Sequence, residues 1–196
     1  MSLIGIAISA IFINNFVLNR FLGICPFIGV SKKLDSALGM GLAVTFVTTL
    51  ASFVTYLIYY YILVVFHIEY LTTISFILVI ATLVQLVEMF LRKLVTPLYN
   101  ALGIYLPLIT TNCAVMGVVL LNIDYRFSFI GSLVSGFATG IGFLIALLLM
   151  AAIRERLELA NVPRIFRGAP IAFISAGLMA MAFMAFDAAL LKKLGL

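Results

Sequence analysis

Hydrophobic positions run along this chain in long blocks, and charged positions punctuate them at intervals. Stretches with no charged residue cover 1–19, 37–66, 94–123, 127–153 and 168–186. A sixth, 72–87, continues through Glu88 to Leu91 before Arg92 and Lys93. A helix needs about 20 apolar residues to cross a hydrocarbon core of roughly 30 Å. The pattern therefore predicts six membrane helices joined by short loops, with no length left for a soluble domain. Residues 1–196 read as one integral membrane domain of the all-α class.

Composition agrees with this reading. The chain is 65% hydrophobic and only 10% charged, with a mean hydropathy of +1.30. So few charges cannot cover the surface of a soluble domain of this size. The first 19 residues carry no Lys or Arg, so they lack the basic start of a cleaved signal peptide and read as a retained span. A net charge of +5 could suggest nucleic acid, but the placement of the charges argues against that partner. Arg20, Lys32 and Lys33 follow span one, Arg92 and Lys93 follow span three, and Arg154, Arg156, Arg164 and Arg167 follow span five. Only Arg126, Lys192 and Lys193 fall on the other side. The positive-inside rule then puts both termini outside and the odd loops in the cytoplasm.

The chain also repeats itself. Its only two cysteines each open a Cys-x-x-x-Gly motif, Cys25 to Gly29 and Cys113 to Gly117. Ala37-Leu38-Gly39-Met40-Gly41 follows the first, and Ala138-Thr139-Gly140-Ile141-Gly142 follows the second. Small residues at this spacing let helix backbones approach closely in lipid. Aligned on the cysteines, Asn19 falls opposite Pro107, and both residue types disturb helices. The reading is of two three-helix repeats, about 1–93 and 94–196, with the first helix of each interrupted near its cysteine. Three spans per half is an odd number, so the second repeat must insert upside down relative to the first. Inverted repeats with interrupted helices build sites near the bilayer midplane.

Chemistry alone leaves the cysteines open. Buried membrane cysteine is often an inert small hydrophobe. A disulfide would need an oxidising environment that lipid-buried thiols do not meet. Zinc finds no further soft ligand, since His67 is the only histidine and belongs to an external loop. An iron–sulfur cluster normally takes four cysteines, so two would have to come from another chain.

Longer motifs add to this. Asn14-Asn15-Phe16-Val17-Leu18, Phe21-Leu22-Gly23-Ile24-Cys25-Pro26-Phe27 and Gly29-Val30-Ser31-Lys32-Lys33-Leu34 resemble the A-subunit family of the Rnf electron-transport complexes. So do Leu102 to Val115, Ala152-Ile153-Arg154-Glu155-Arg156-Leu157, Val162-Pro163, Phe166-Arg167-Gly168 and Ala176-Gly177-Leu178-Met179. The resemblance covers the chain end to end. Some elements are shared with the homologous E subunit of the sodium-pumping NADH:quinone oxidoreductase. It implies a subunit of a ferredoxin:NAD⁺ oxidoreductase in the bacterial cytoplasmic membrane that couples electron flow to Na⁺ or H⁺ translocation. It further implies a homologous, oppositely inserted partner, the Rnf E subunit, beside flavin and iron–sulfur subunits. On this resemblance Cys25 and Cys113 correspond to ligands of a 2Fe–2S cluster shared between the two subunits, with two cysteines from each.

A four-thiolate cluster is anionic, so its surroundings should offer hydrogen-bond donors. Backbone N–H groups freed at Asn19 and Pro107 are candidates, as are Thr110, Thr111 and Asn112 beside Cys113. Glu88 is a candidate for ion coupling, although Arg92 four residues on offers it an ordinary ion pair. Arg20 either snorkels to the inner interface or closes the break beside Asn19, and Asp187 lies near an outer end. Loop five, from Arg154 to Arg167, either docks a cytoplasmic subunit or simply reports topology. The chain has no independent active site, and no motif for NAD⁺, flavin or nucleotide. The competing class is a non-redox secondary transporter, and a third reading is a structural scaffold.

Overall fold

A computed structural model of the chain describes residues 3–13, 15–66, 69–94, 108–109, 111–163 and 165–194. Among these residues every regular element is helical. Helix α1 covers Leu3–Ile8 and widens into a π turn over Ser9–Ile13. After a non-helical passage come α2, Ile24–Val30, and α3, Leu34–Ile58, which continues through a π turn at Tyr59–Leu63. A 3-10 turn, Glu69–Leu71, leads into α4, Thr72–Leu94. The second half supplies α5, Cys113–Asp124, α6, Phe129–Leu159, and α7, Ala169–Leu194.

Three described helices are long and apolar enough to cross a membrane: Leu34–Leu63, Thr72–Met89 and Phe129–Leu159. Cys113–Asp124 and Ala169–Ala185 are shorter apolar helices. The stretch expected as span one is not continuous. It is α1 and α2 with a break between them, and it extends past residue 19 to Val30. Large apolar side chains such as Tyr70 in the 3-10 turn, Leu78 and Met89 on α4, and Phe173 and Leu178 on α7, face outward. Such a surface is suited to lipid or to partner helices.

The centre of the fold is the pairing of α3 with α6. A β-carbon at Gly41 would lie 3.2 Å from Cα of Leu144, and one at Gly140 would lie 2.6 Å from Cα of Thr45. One at Gly136 would stand 3.0 Å from the Thr48 carbonyl oxygen. As numbers rise along α3 they fall along α6, so the helices run antiparallel in direct backbone contact. Both Ala-x-Gly-x-Gly motifs contribute to this seam, through Gly41 and Gly140. Two threonines buried here turn their hydroxyls onto their own helix. Thr45 Oγ1 donates to the Gly41 carbonyl at 2.7 Å and Thr48 Oγ1 to that of Thr45 at 3.0 Å. Away from water the backbone one turn back is the nearest partner for such a hydroxyl.

Helix α6, 31 residues long, also serves as a ruler of roughly 46 Å for the rest of the fold. Its start follows Tyr125, and its end carries Arg154 and Glu155. Arg20 corrects the sequence-based assignment to the odd, cytoplasmic loops. Its Nη2 donates to the Tyr125 hydroxyl at 3.2 Å, and its guanidinium lies 6.0 Å from the Phe16 ring centroid. It therefore belongs to the Tyr125 end, while Ser31 meets Arg154 at the opposite end. The physical reason is the break: residues 15–23 turn back before α2 resumes, so Arg20 is carried away from Lys32 and Lys33.

A candidate two-thiol centre where two helix breaks meet

Asn15 makes the first break. Its Oδ1 accepts from the N–H groups of Val17 at 3.1 Å and Leu18 at 3.4 Å, replacing the helical carbonyl partners. Its Nδ2 donates across the fold to the Gly142 carbonyl at 3.0 Å. Asn side chains favour such local bonds over continued helix, and this one is fully buried. Asn19, expected to cause the break, lies inside it, and its N–H donates to the Asn15 carbonyl at 2.8 Å.

The chain then reverses through two left-handed residues, Phe21 at φ 55° and Gly23 at φ 89°. The Leu22 N–H closes this loop on the Phe16 carbonyl at 2.9 Å. Gly23 is required twice over. Its φ lies where a β-carbon is strained, and a β-carbon there would stand 3.0 Å from Phe143 Cε2 and 3.1 Å from Ala114 Cβ. The close approach turns the Gly23 N–H onto the sulfur of Cys113 at 2.9 Å. The break of the first half thus touches the thiol of the second.

Cys25, two residues after Gly23, lies in the first turn of α2 and is exposed. Cys113 is the first residue of α5 and is half-buried, and both thiols are free. Asn112 caps α5: its Oδ1 accepts from the Ala114 N–H at 3.0 Å. Its Nδ2 is buried without a hydrogen-bond partner, so a donor is left beside Cys113. Cys113 itself occupies the first position of α5, at the positive end of that helix's dipole.

The glycines of the two Cys-x-x-x-Gly motifs exchange side chains between halves. A β-carbon at Gly117 would lie 2.7 Å from Leu22 Cδ1, and one at Gly29 would lie 3.9 Å from Leu108 Cδ2. Gly117 makes room for a leucine preceding the other cysteine, while Gly29 is in ordinary contact with its counterpart. A cavity of about 360 Å³ adjoins Cys113 on its far side, lined by Ile77, Ala81, Thr111, Asn112 and Met116.

The other expected site residues fall as follows. Thr111 is exposed at the turn before Asn112. Thr110, Pro107 and His67 lie outside the described residues, as do the side chains of Arg92 and Asp187. Glu88 is half-buried on α4, seven residues and about 10 Å of helix beyond Ala81, away from the thiols. Among the described residues no group of three or more His, Cys, Asp or Glu forms a metal site.

Arg154 and Glu155, expected to face a cytoplasmic subunit or only to mark topology, make internal contacts. Arg154 Nη1 donates to the Ile28 carbonyl at 2.7 Å and to Ser31 Oγ at 2.9 Å. Glu155 Oε1 accepts from the Leu34 N–H at 3.2 Å. Sequence reasoning missed Asn15, Gly23 and Arg154 as site-building residues. Their only signal was membership of the long motifs.

Comparison with known proteins places this arrangement in a family. Residues 3–190 match the family model described as Rnf-Nqr subunit, membrane protein. The A subunit of the Na⁺-translocating ferredoxin:NAD⁺ oxidoreductase complex of Acetobacterium woodii is 58% identical over 95% of this chain and 97% of its own length. The A subunit of the ion-translocating oxidoreductase complex of Syntrophotalea carbinolica is 58% identical over 94% of this chain and 96% of its own. That of Pseudoalteromonas translucida is 60% identical over 91% and 93%. With the family model spanning nearly its whole length, the chain belongs to the Rnf-Nqr family of membrane subunits, as a relative of the A subunits of ion-translocating oxidoreductase complexes.

Proposed function

We propose that this chain is the A-type membrane subunit of an Rnf complex, and that Cys25 and Cys113 provide two of the four thiolates of a 2Fe–2S cluster. The homologous E-type subunit supplies the other two. The observation that carries the reading is the Gly23 N–H to Cys113 Sγ bond, which brings the two halves' cysteine motifs to one point. The free Cys113 thiol at that point and the free, exposed Cys25 two residues after Gly23 fit half of a shared cluster and leave the open half toward a partner. When bound, such a cluster accepts and returns a single electron. The chain's own contribution is to hold sulfur and to offset charge in a medium that penalises it. The Gly23 N–H, the Asn112 Nδ2 and the N-terminus of α5 all present positive ends at this place.

The architecture that serves this role is six spans in two inverted repeats. The broken pair α1 and α2 corresponds to the segment that ends in α5, and the antiparallel α3 and α6 correspond to each other. Lys32 and Lys33 adjoin Ser31, which meets Arg154, so these charges and Arg156 share one end of the fold. That end is assigned to the cytoplasm, with both termini outside. Electron transfer from ferredoxin to NAD⁺ runs through flavin and iron–sulfur subunits and is coupled to Na⁺ or H⁺ movement by changes between the halves. Glu88 is the residue of this chain assigned to coupling.

One observation favours the non-redox transporter as a second reading. A cavity of about 290 Å³ at the end opposite Arg154 is lined mostly by apolar surface, including Ile6, Phe16 and Leu121, with Ser9, Arg20 and Asn122 among it, and a small amphipathic solute fits such a lining. The readings separate on the co-purified pair of A-type and E-type subunits. The cluster reading expects iron and acid-labile sulfide, a visible band that dithionite bleaches, and loss of all three with Cys25→Ser or Cys113→Ser. A colourless, iron-free pair supports the transporter.

A further inference from the structure

Helix α2 has seven residues, too few to be stable alone. Its apolar anchors are Phe27 and Val30, both buried, yet its exposed Cys25 must be presented in one orientation to ligate. Two tethers from the other half hold its ends. At the start, the Gly23 N–H is fixed on Cys113 Sγ. At the finish, Arg154 takes the Ile28 carbonyl and the Ser31 hydroxyl, while neighbouring Glu155 takes the first N–H of α3.

The finish is the demanding end. The last carbonyls of any helix lack intrahelical partners, and with Ser31 fully buried they are best met from within the protein. A guanidinium is suited to this place. It carries several donors in a planar fork, and its charge complements the negative end of the helix dipole. Ile28 lies one turn below Cys25, about 4.5 Å along the axis. Arg154 and Gly142 are on the same continuous helix, and Gly142 holds Asn15 at the upper break. A rigid element therefore grips the chain above and below Cys25.

We infer that Arg154 is the positioning residue of the Cys25 half of the site: it sets the height and direction of α2, and its charge biases the group that Cys25 ligates. The inference rests on Cys25 being a cluster ligand. It assigns Arg154 no contact with the cluster and no proton to carry.

The test has two readouts. In the single chain carrying Cys113→Ser, which keeps an acceptor for Gly23, a nitroxide label on Cys25 reports the mobility of α2 without any cluster. Arg154→Gln is expected to raise that mobility, Arg154→Lys to restore most of the order, and Ser31→Ala to give an intermediate value. In the purified pair with native cysteines, Arg154→Gln is expected to lower the cluster's midpoint potential, because a nearby positive charge no longer favours the reduced form. The reduced-to-oxidised ratio at the wild-type midpoint should fall on the order of fivefold, and Arg154→Lys should recover most of it. Unchanged label mobility in Arg154→Gln overturns the inference. So does raised mobility with an unchanged potential, which would make the contact merely structural. If Arg154→Gln does not fold, Ser31→Ala carries the decision, and wild-type label mobility in that variant overturns the inference. A wild-type pair without iron refutes the cluster reading instead, while the label result still reports on Arg154.

Discussion

The backbone N–H of Gly23 donates to the sulfur of Cys113 across 2.9 Å, joining residues 90 positions apart. This contact ties a left-handed turn in the first half to a thiol in the second. It makes Gly23 the least replaceable residue of the site.

Gly23→Ala should destabilise the fold by about 1–3 kcal/mol, from the positive φ and the crowding against Phe143 and Ala114. Thermal unfolding in detergent measures the loss. The co-purified pair should also hold less iron than wild type, because the Cys113 contact moves with the turn.

Thiol accessibility should differ between the cysteines. In the isolated chain Cys25 should react with a membrane-permeant maleimide several times faster than Cys113, which is half-buried and accepts a hydrogen bond. Assembly with the E-type partner should protect Cys25. Rapid labelling of Cys25 in the assembled pair would place the partner elsewhere.

Asn15→Ala should cost about 1–3 kcal/mol, since it removes both the turn-closing acceptor and the donor to Gly142. Asn15→Asp is the sharper probe. It keeps the acceptor for Val17 and Leu18 but sets a carboxylate against the Gly142 carbonyl, so it should destabilise at least as much. A melting temperature equal to wild type for Asn15→Asp would mean that the cross-fold bond contributes nothing.

The seam between α3 and α6 predicts a contrast between two glycines. Gly140→Ala forces a methyl group to within 2.6 Å of Thr45 Cα and should cost at least about 2 kcal/mol. Gly177→Ala on α7 meets nothing within 4 Å and should stay within about 1 kcal/mol of wild type, on the stabilising side. Melting curves of the two variants side by side check this.

Much of this fold was legible because hydrophobic runs report length and paired glycines report backbone contact. The runs at 37–66 and 127–153 became α3 and α6, and Gly41 and Gly140 proved to be in their shared seam. The repeated cysteine motifs pointed to one place, and the bond from Gly23 to Cys113 joins the segments that carry them. What could not be read was the route through the first break. Run length cannot distinguish a straight helix from two pieces with a reversal between them, so Arg20 was placed at the wrong end. Alignment on the cysteines points to Asn19, whereas the break is made by Asn15, whose side chain is held by a carbonyl 127 residues away. Arg154 read as a topology signal because charge counting weighs a residue's side of the membrane and ignores what its donors reach.

The grip of Arg154 on Ile28 and Ser31 also dictates an order of assembly. Cys25 is synthesised early, but its two tethers arrive only with Cys113 and Arg154, when most of the 196-residue chain has been translated. Until then α2 is a seven-residue segment that nothing from the second half holds. If Cys25 ligates the proposed cluster, its loading is a late event in biogenesis, and a chain truncated before residue 154 would display the thiol without a fixed bearing.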